Sequence, residues 1–305
     1  MNDEQFFATR HARPERNKTE VDLASKDYPD LTEGGVEQAK KKVRGEIFNL
    51  INKASENAVI IIAATSDQPR TKQTAEIYGD ELAVMQKERK DSNLLVITKT
   101  DIEAMTLDDK GENNAEFSPS RIINTVKKLD EIINSNKNKK IVIDYPLMIK
   151  ELAYKYHDRW TDQSGKKTEY FSEILKKHNN NHEEAGKDWM TNQGRLELSD
   201  GRIINGPIPE QVGAEYFHGV QRLHDFAKKY TGERPLIVGE VGHQWDLDAL
   251  ITYLGNQGKV DQESFEKITG GKFAGEAEMA EFTISGKDTR VKYRNKEFIV
   301  PQMEN

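Results

Sequence analysis

The sequence predicts an α/β fold: a three-layer α/β/α sandwich around a mostly parallel sheet, with a helical insertion. Three observations carry this expectation. Short β-branched runs without polar alternation recur, as strands covered on both faces require. Amphipathic helical patterns lie between them. One long polar stretch interrupts that alternation.

Phe6-Phe7-Ala8 reads as the first strand. Thr32 then caps a helix whose Val36, Ala39, Val43, Ile47, Leu50 and Ala54 recur at steps of three and four, so one face turns inward. Lys40, Lys41 and Lys42 fall mostly on its wet face. Val59-Ile60-Ile61-Ile62-Ala63 is the second strand, followed by a helix from Thr71 to about Met85. Leu94–Ile97 is a third strand, and Ile122–Ile133 a further helix. Ile141–Ile143 and Leu236–Val238 are strands of the same kind. Pro209 opens a helix with Val212, Tyr216, Val220, Leu223 and Phe226 along one side. The tail alternates from Glu281 to Val300 around Gly286, as a hairpin does.

Between Met105 and Glu215 the chain is polar, with Lys and Asn clusters and helical stretches at Glu151–Tyr156 and Tyr170–Lys177. It reads as an insertion over one end of the sheet. The division is a core of residues 1–104 and 216–305, and a mostly helical cap of residues 105–215. At 305 residues the chain has room for about two domains, or one with a large insertion.

Composition narrows the function. The net charge is −7, so the average field repels nucleic acid and anionic membrane, and neither is expected as a partner. A phosphate site must be a local concentration of positive charge. The 11 Phe, 10 Tyr and 3 Trp are too many for a disordered chain. With no cysteine there is no thiolate nucleophile or thiolate metal site. No run approaches the ~18 apolar residues of a membrane span. The opening MNDEQFFATRHARPERN lacks a basic start followed by an apolar run, so a cytoplasmic location is the default expectation. The oligomeric state is not legible.

Three segments at strand ends carry chemistry. Arg10-His11 follows the first strand, and ligands of open α/β sheets sit beyond the carboxyl ends of strands. The guanidinium grips an oxyanion in a fork and the imidazole can attack phosphorus. Ser66–Ala75 follows the second strand and places Arg70 at a helix start, where free N–H groups favour an anion. Val241-Gly242-His243 follows the strand 236–238, and its glycines suggest a sharp turn. Alone, each also reads as an ordinary loop; together they bring Arg10, His11, Arg70 and His243 to three strand ends.

On these residues the sequence resembles the histidine phosphatase superfamily, also called phosphoglycerate mutase-like. Arg10-His11 with Asn17 six residues on is similar to its first motif. Leu31-Thr32-Glu33-Gly34-Gly35-Val36-Glu37-Gln38-Ala39 is similar to the helix opening that follows. Residues 66–75 match its second arginine motif throughout, and Val241-Gly242-His243 its second histidine. The likeness covers residues 6–85 and 232–255; about 100–215 matches nothing. Ala12 replaces a usual glycine, Arg13 stands where a Glu or other polar residue is common, and Gln244 replaces Gly or Asn.

The resemblance implies a metal-independent phosphatase, without cofactor, that hydrolyses a phosphate monoester through a phosphohistidine on His11. Arg10, Arg70 and His243 would bind the phosphate, with Asn17 and Arg13 at the rim. Neighbouring arginines disfavour the charged form of His11. Glu103, after the third strand, is the best match to the family's proton donor; Asp101 and Asp246 compete. The substrate would be a phosphorylated small molecule or phosphoprotein, selected by the insertion. The alternatives are a catalytically weak scaffold, motivated by Ala12 and Gln244, and a phosphomutase. His178 and His182 are four apart, but the asparagines between them disfavour the helix a metal pair needs. Trp160, Trp189 and Tyr170 fit either a substrate pocket or the insertion's own core.

Overall fold

The computed structural model describes residues 4–15, 22–66, 68–106, 119–144, 157–162 and 166–301. The strands are β1 Glu4–Arg10, β2 Val59–Ala64, β3 Leu94–Ile97, β4 Lys140–Asp144, β5 Arg195–Glu197, β6 Ile203–Asn205, β7 Leu236–Gly242, β8 Met279–Ile284, β9 Asp288–Tyr293 and β10 Lys296–Pro301. The helices are α1 Glu33–Lys42, α2 Phe48–Lys53, α3 Pro69–Arg89, α4 Lys99–Thr106, α5 Pro119–Ser135, α6 His157–Trp160, α7 Glu169–Lys177, α8 His182–Asn192, α9 Pro209–Thr231, α10 Gln244–Gly255 and α11 Gln262–Thr269. A π-helical turn, Val43–Ile47, joins α1 to α2.

Eight strands form one sheet in the order β10-β9-β8-β1-β7-β2-β4-β3. The five from β1 to β3 run parallel, and β8, β9 and β10 are antiparallel. Alternate residues feed two cores, which makes the three layers. Val59, Ile61 and Ala63 join Phe6, Ala8 and Val238 under α5, α9 and α10. Ile60 and Ile62 join Phe7, Ile237 and Val241 under α1 and α3. Among the described residues no helix is long and apolar enough to cross a membrane.

Three expectations are corrected. Gly239–Gly242 is not a turn: it continues β7 and pairs with Phe7–Arg10 of β1. Gly239 is required by close approach, since a Cβ there would stand 2.1 Å from the Phe7 ring. The tail holds three strands rather than two, because Arg294 and Asn295 take left-handed φ of 49° and 61° and make a second turn without glycine. The segment 105–215 does not lie wholly over the sheet: β4 pairs between β2 and β3. Its all-apolar face positions, Ile141, Val142 and Ile143, are covered on both sides and belong to the core. The helical reading of Glu151–Tyr156 lies outside the described residues. Among the described residues of this segment, α6, α7, α8 and the ribbon β5–β6 stand apart from the sheet, with the Trp160 and Trp189 rings of α6 and α8 against Trp245 of α10.

Glu240 is a charge-bearing residue inside this sheet. Burial pushes its carboxyl from 4.5 up to about 8, partly opposed by Arg222. The native chain therefore keeps a proton that the unfolded chain has released in this window. The associated stability is fully present below about pH 4.5 and is lost as pH rises through about 8. Glu240→Gln keeps the shape and removes the titration. Thermal unfolding at about pH 5 and about pH 8.5 should show wild type losing stability relative to the variant at the higher pH; parallel losses would contradict this.

Candidate active site

Three parallel strands end side by side and deliver the site. β1 is extended by a hydrogen bond from His11 N to Gly242 O of 3.0 Å, so Arg10 and His11 emerge beside the end of β7. The Nδ1–H of His11 donates to Ala12 O at 2.7 Å. Arg70 Nε donates to His11 Nε2 at 3.2 Å. A guanidinium only donates, so Nε2 carries the lone pair and Nδ1 the proton. The ring is 3% exposed.

The same logic fixes His243. Arg70 Nη2 lies 3.2 Å from His243 Nδ1, which must accept. Its Nε2–H then donates to Ser66 Oγ at 2.7 Å. Ser66 in turn lies 3.0 Å from Thr71 Oγ1, whose own proton goes to Gln68 O at 2.8 Å. Donation thus runs one way, His243 to Ser66 to Thr71 to backbone, and presents His243 Nδ1 to Arg70. The third nitrogen of Arg70, Nη1, donates to Gln68 Oε1 at 2.9 Å. Arg70 is the hub of the site, in the first turn of α3 where Pro69 opens the helix. The dipole of that helix adds positive potential.

The supports come from neighbouring turns. Thr74 accepts from Ala12 N at 3.1 Å and donates to Arg70 O at 2.7 Å, tying the first motif to the second. Ala12 is fully buried and belongs to the same core as Leu31, Val36 and Ala75. The methyl therefore joins the core beneath the site. Gly35 fits the first motif for a steric reason: a Cβ there would stand 2.4 Å from Arg13 O. Arg10 Nη1 and Gln244 Nε2 both donate to Ala274 O, at 2.8 and 3.0 Å. The Ala274 N–H is held by both carboxylate oxygens of Asp248 at 3.0 Å. Burial pushes that carboxyl well above the usual range, against the pull of the Ala274 N–H.

Arg10, His11, Arg70, His243 and Asp246 line one pocket of about 440 Å³, with Gln68 and Gln244. Its outer wall comes from the inserted segment: Trp160, Thr161, Lys167, Phe171 and His182. Asp246 is 1% exposed, and its Oδ1 accepts from Trp160 Nε1 at 2.9 Å. Among the described residues it is the one carboxylate that lines the pocket.

The other expected residues are placed differently. Arg13 does not line the pocket; its guanidinium holds Glu276 at 2.9 Å and Asp22 at 3.0 Å. Hydrogen bonds from Gly34 N and from Arg13 help hold the Asp22 carboxyl below its usual range. Asp101 is exposed and closes a capping box, accepting from Thr98 N and Oγ1 at 2.8 Å. Asn17 and the side chain of Glu103 lie outside the described residues. His178 and His182 sit on two different helix ends, and His178 pairs with Asp188 at 2.8 Å. Sequence reasoning missed Ser66, Thr71 and Thr74 as working residues, although they stand inside the motif it singled out. Trp160 fits a pocket on sequence grounds, but Phe171, Lys167 and His182 carry no signal that points to one.

Residues 6–117 match the family model described as histidine phosphatase superfamily (branch 1). No curated protein matches the sequence. Among solved structures, the phosphoglycerate mutase of Bacillus anthracis str. Sterne is similar over 99% of this chain and 94% of that chain, at 12% identity and a TM-score of 0.39. Over the part that carries Arg10, His11 and Arg70, this chain is thus similar to the histidine phosphatase superfamily, branch 1.

Proposed function

We propose that the protein is a phosphomonoester hydrolase that works through a phosphohistidine at His11 Nε2. The observation that carries this is the tautomer: Nδ1–H is fixed to Ala12 O, and the Nε2 lone pair faces Arg70 in the pocket. The superfamily includes both phosphatases and phosphomutases, and the site chemistry suits either.

An arriving phosphate competes for the N–H groups that Arg70 gives to the two imidazoles. Its fork turns to the equatorial oxygens, beside Arg10. His11 Nε2 is released and attacks phosphorus. The P–O ester bond breaks, and the leaving oxygen takes a proton from Asp246, which we favour over Glu103 because it lines the pocket. Water then attacks the phosphohistidine and gives a proton to Asp246, the P–N bond breaks, and phosphate leaves. Arg10 and Arg70 supply the charge neutralisation that phosphoryl transfer needs. The scaffold reading loses its motive, since the Ala12 methyl joins the core and Gln244 is hydrogen-bonded to Ala274 O.

The test is hydrolysis of para-nitrophenyl phosphate in the presence of EDTA. Phosphate release is expected to persist; no release, or transfer of the phosphoryl group to a second alcohol instead of water, contradicts hydrolysis as the reaction. Asp246→Asn should depend on the leaving group. General-acid loss costs about 10²–10⁴ for an alkyl ester, and much less for para-nitrophenolate, which leaves unaided. An equal loss for both esters would remove Asp246 from the role of proton donor.

A further inference from the structure

We infer that the outer half of the pocket selects a phosphate monoester whose leaving group is a planar ring carrying a second negative charge. This rests on the phosphatase reading above and names the substrate class of the same site.

Three rings meet at steep angles beyond the phosphate end. Trp160 and Trp245 stand 5.1 Å apart at 86°, and Phe171 is 5.3 Å from each, at 57° and 83°. Both indole N–H groups point elsewhere, Trp160 to Asp246 and Trp245 to His182 O at 3.2 Å. Trp160 and Trp245 are 2% and 5% exposed and back the wall, so Phe171, which is half-buried, is the ring that a ligand meets, through carbon alone. Thr161, Lys167 and His182 also stand in this wall, so a polyol finds partners beside the ring but loses water without replacement over its face. A flat ring gains edge-to-face contacts as well as burial. Room exists, since the pocket of about 440 Å³ is far larger than a phosphate alone.

The charge comes from Lys167. It is exposed at the pocket lip, its ammonium lies 5.7 Å over the Phe171 ring, and among the described residues it has no carboxylate partner. A positively charged leaving group would be repelled by it. An acidic substituent on the far side of the ring would be paired by it.

Calorimetric titration with three phosphonates tests this: butylphosphonate, benzylphosphonate and 4-carboxybenzylphosphonate, with orthovanadate filling the phosphate end alone. Benzylphosphonate should bind about three- to tenfold tighter than butylphosphonate. The carboxylate should add about twofold to fivefold, the range of an exposed ion pair. Phe171→Leu should erase the first gain, Lys167→Gln only the second, and all three proteins should hold orthovanadate alike. Equal affinity for the three phosphonates, or variants that weaken orthovanadate and phosphonates together, would overturn the inference. Absence of orthovanadate binding in wild type would instead defeat the phosphatase reading, and this inference with it.

Discussion

His11→Ala should lose turnover of para-nitrophenyl phosphate by about 10⁴-fold or more, the scale seen when a covalent nucleophile is removed. The reason is local. Nε2 of His11 is the nucleophile the pocket presents with its lone pair inward, since Nδ1 is committed to Ala12 O at 2.7 Å. His243 also turns a lone pair, that of Nδ1, to Arg70, so the size of the loss in this variant is what assigns the nucleophile to His11. The variant should fold, because alanine at a position beside the pocket leaves the β1–β7 pairing intact. Orthovanadate binding should survive, since Arg10 and Arg70 remain. Residual turnover near wild type would remove His11 from the mechanism.

Arg70→Lys should be nearly as damaging, about 10³-fold in kcat/KM, within the range for an arginine that neutralises a transferring phosphoryl group. Lysine keeps the charge but not the fork. One guanidinium now reaches His11, Gln68 and His243 with separate nitrogens. A single ammonium on a flexible stem cannot serve both imidazoles and then the equatorial oxygens. Because the lost contacts strengthen as charge develops, kcat should fall along with any rise in KM. Steady-state kinetics of the purified variant checks this; a rise in KM alone would mean that Arg70 only binds the ground state.

Much of the site was legible because it lies where topology puts it. Arg10-His11, Arg70 and His243 each follow a buried strand, and β1, β7 and β2 are neighbours. Parallel strands place their carboxyl ends on one edge, so three separate motifs converge. Arg13 was misread for the opposite reason. Its partner Glu276 is 263 positions away in the chain, and nothing local announces it. A rim arginine and a structural clamp look identical in a one-dimensional string. Asp101 misleads similarly, since Thr98 and Asp101 form a helix-capping pair that any carboxylate at that spacing can make. The aromatic wall is half legible, because Trp160 and Trp189 sit in the same polar stretch and each fits either a substrate pocket or the insertion's own core. Trp160 lines the pocket while Trp189 stacks on Trp245 at 5.5 Å and gives its N–H to Pro207 O. The boundary of the insertion differs at β4, whose three apolar residues predict a strand but do not show that it pairs between β2 and the edge strand β3. Glycines at 239 and 242 suggested a turn, where the Phe7 ring instead requires a bare backbone within a strand.

The central claim is that the phosphoryl group passes through His11. Wild-type protein mixed with para-nitrophenyl phosphate should be quenched in alkali, where phosphohistidine persists, then digested and sequenced by mass spectrometry. One phosphoryl group on the peptide that contains His11, absent in His11→Ala, is the predicted result. Full hydrolytic activity with no phosphorylated His11 at any quench time would contradict the account.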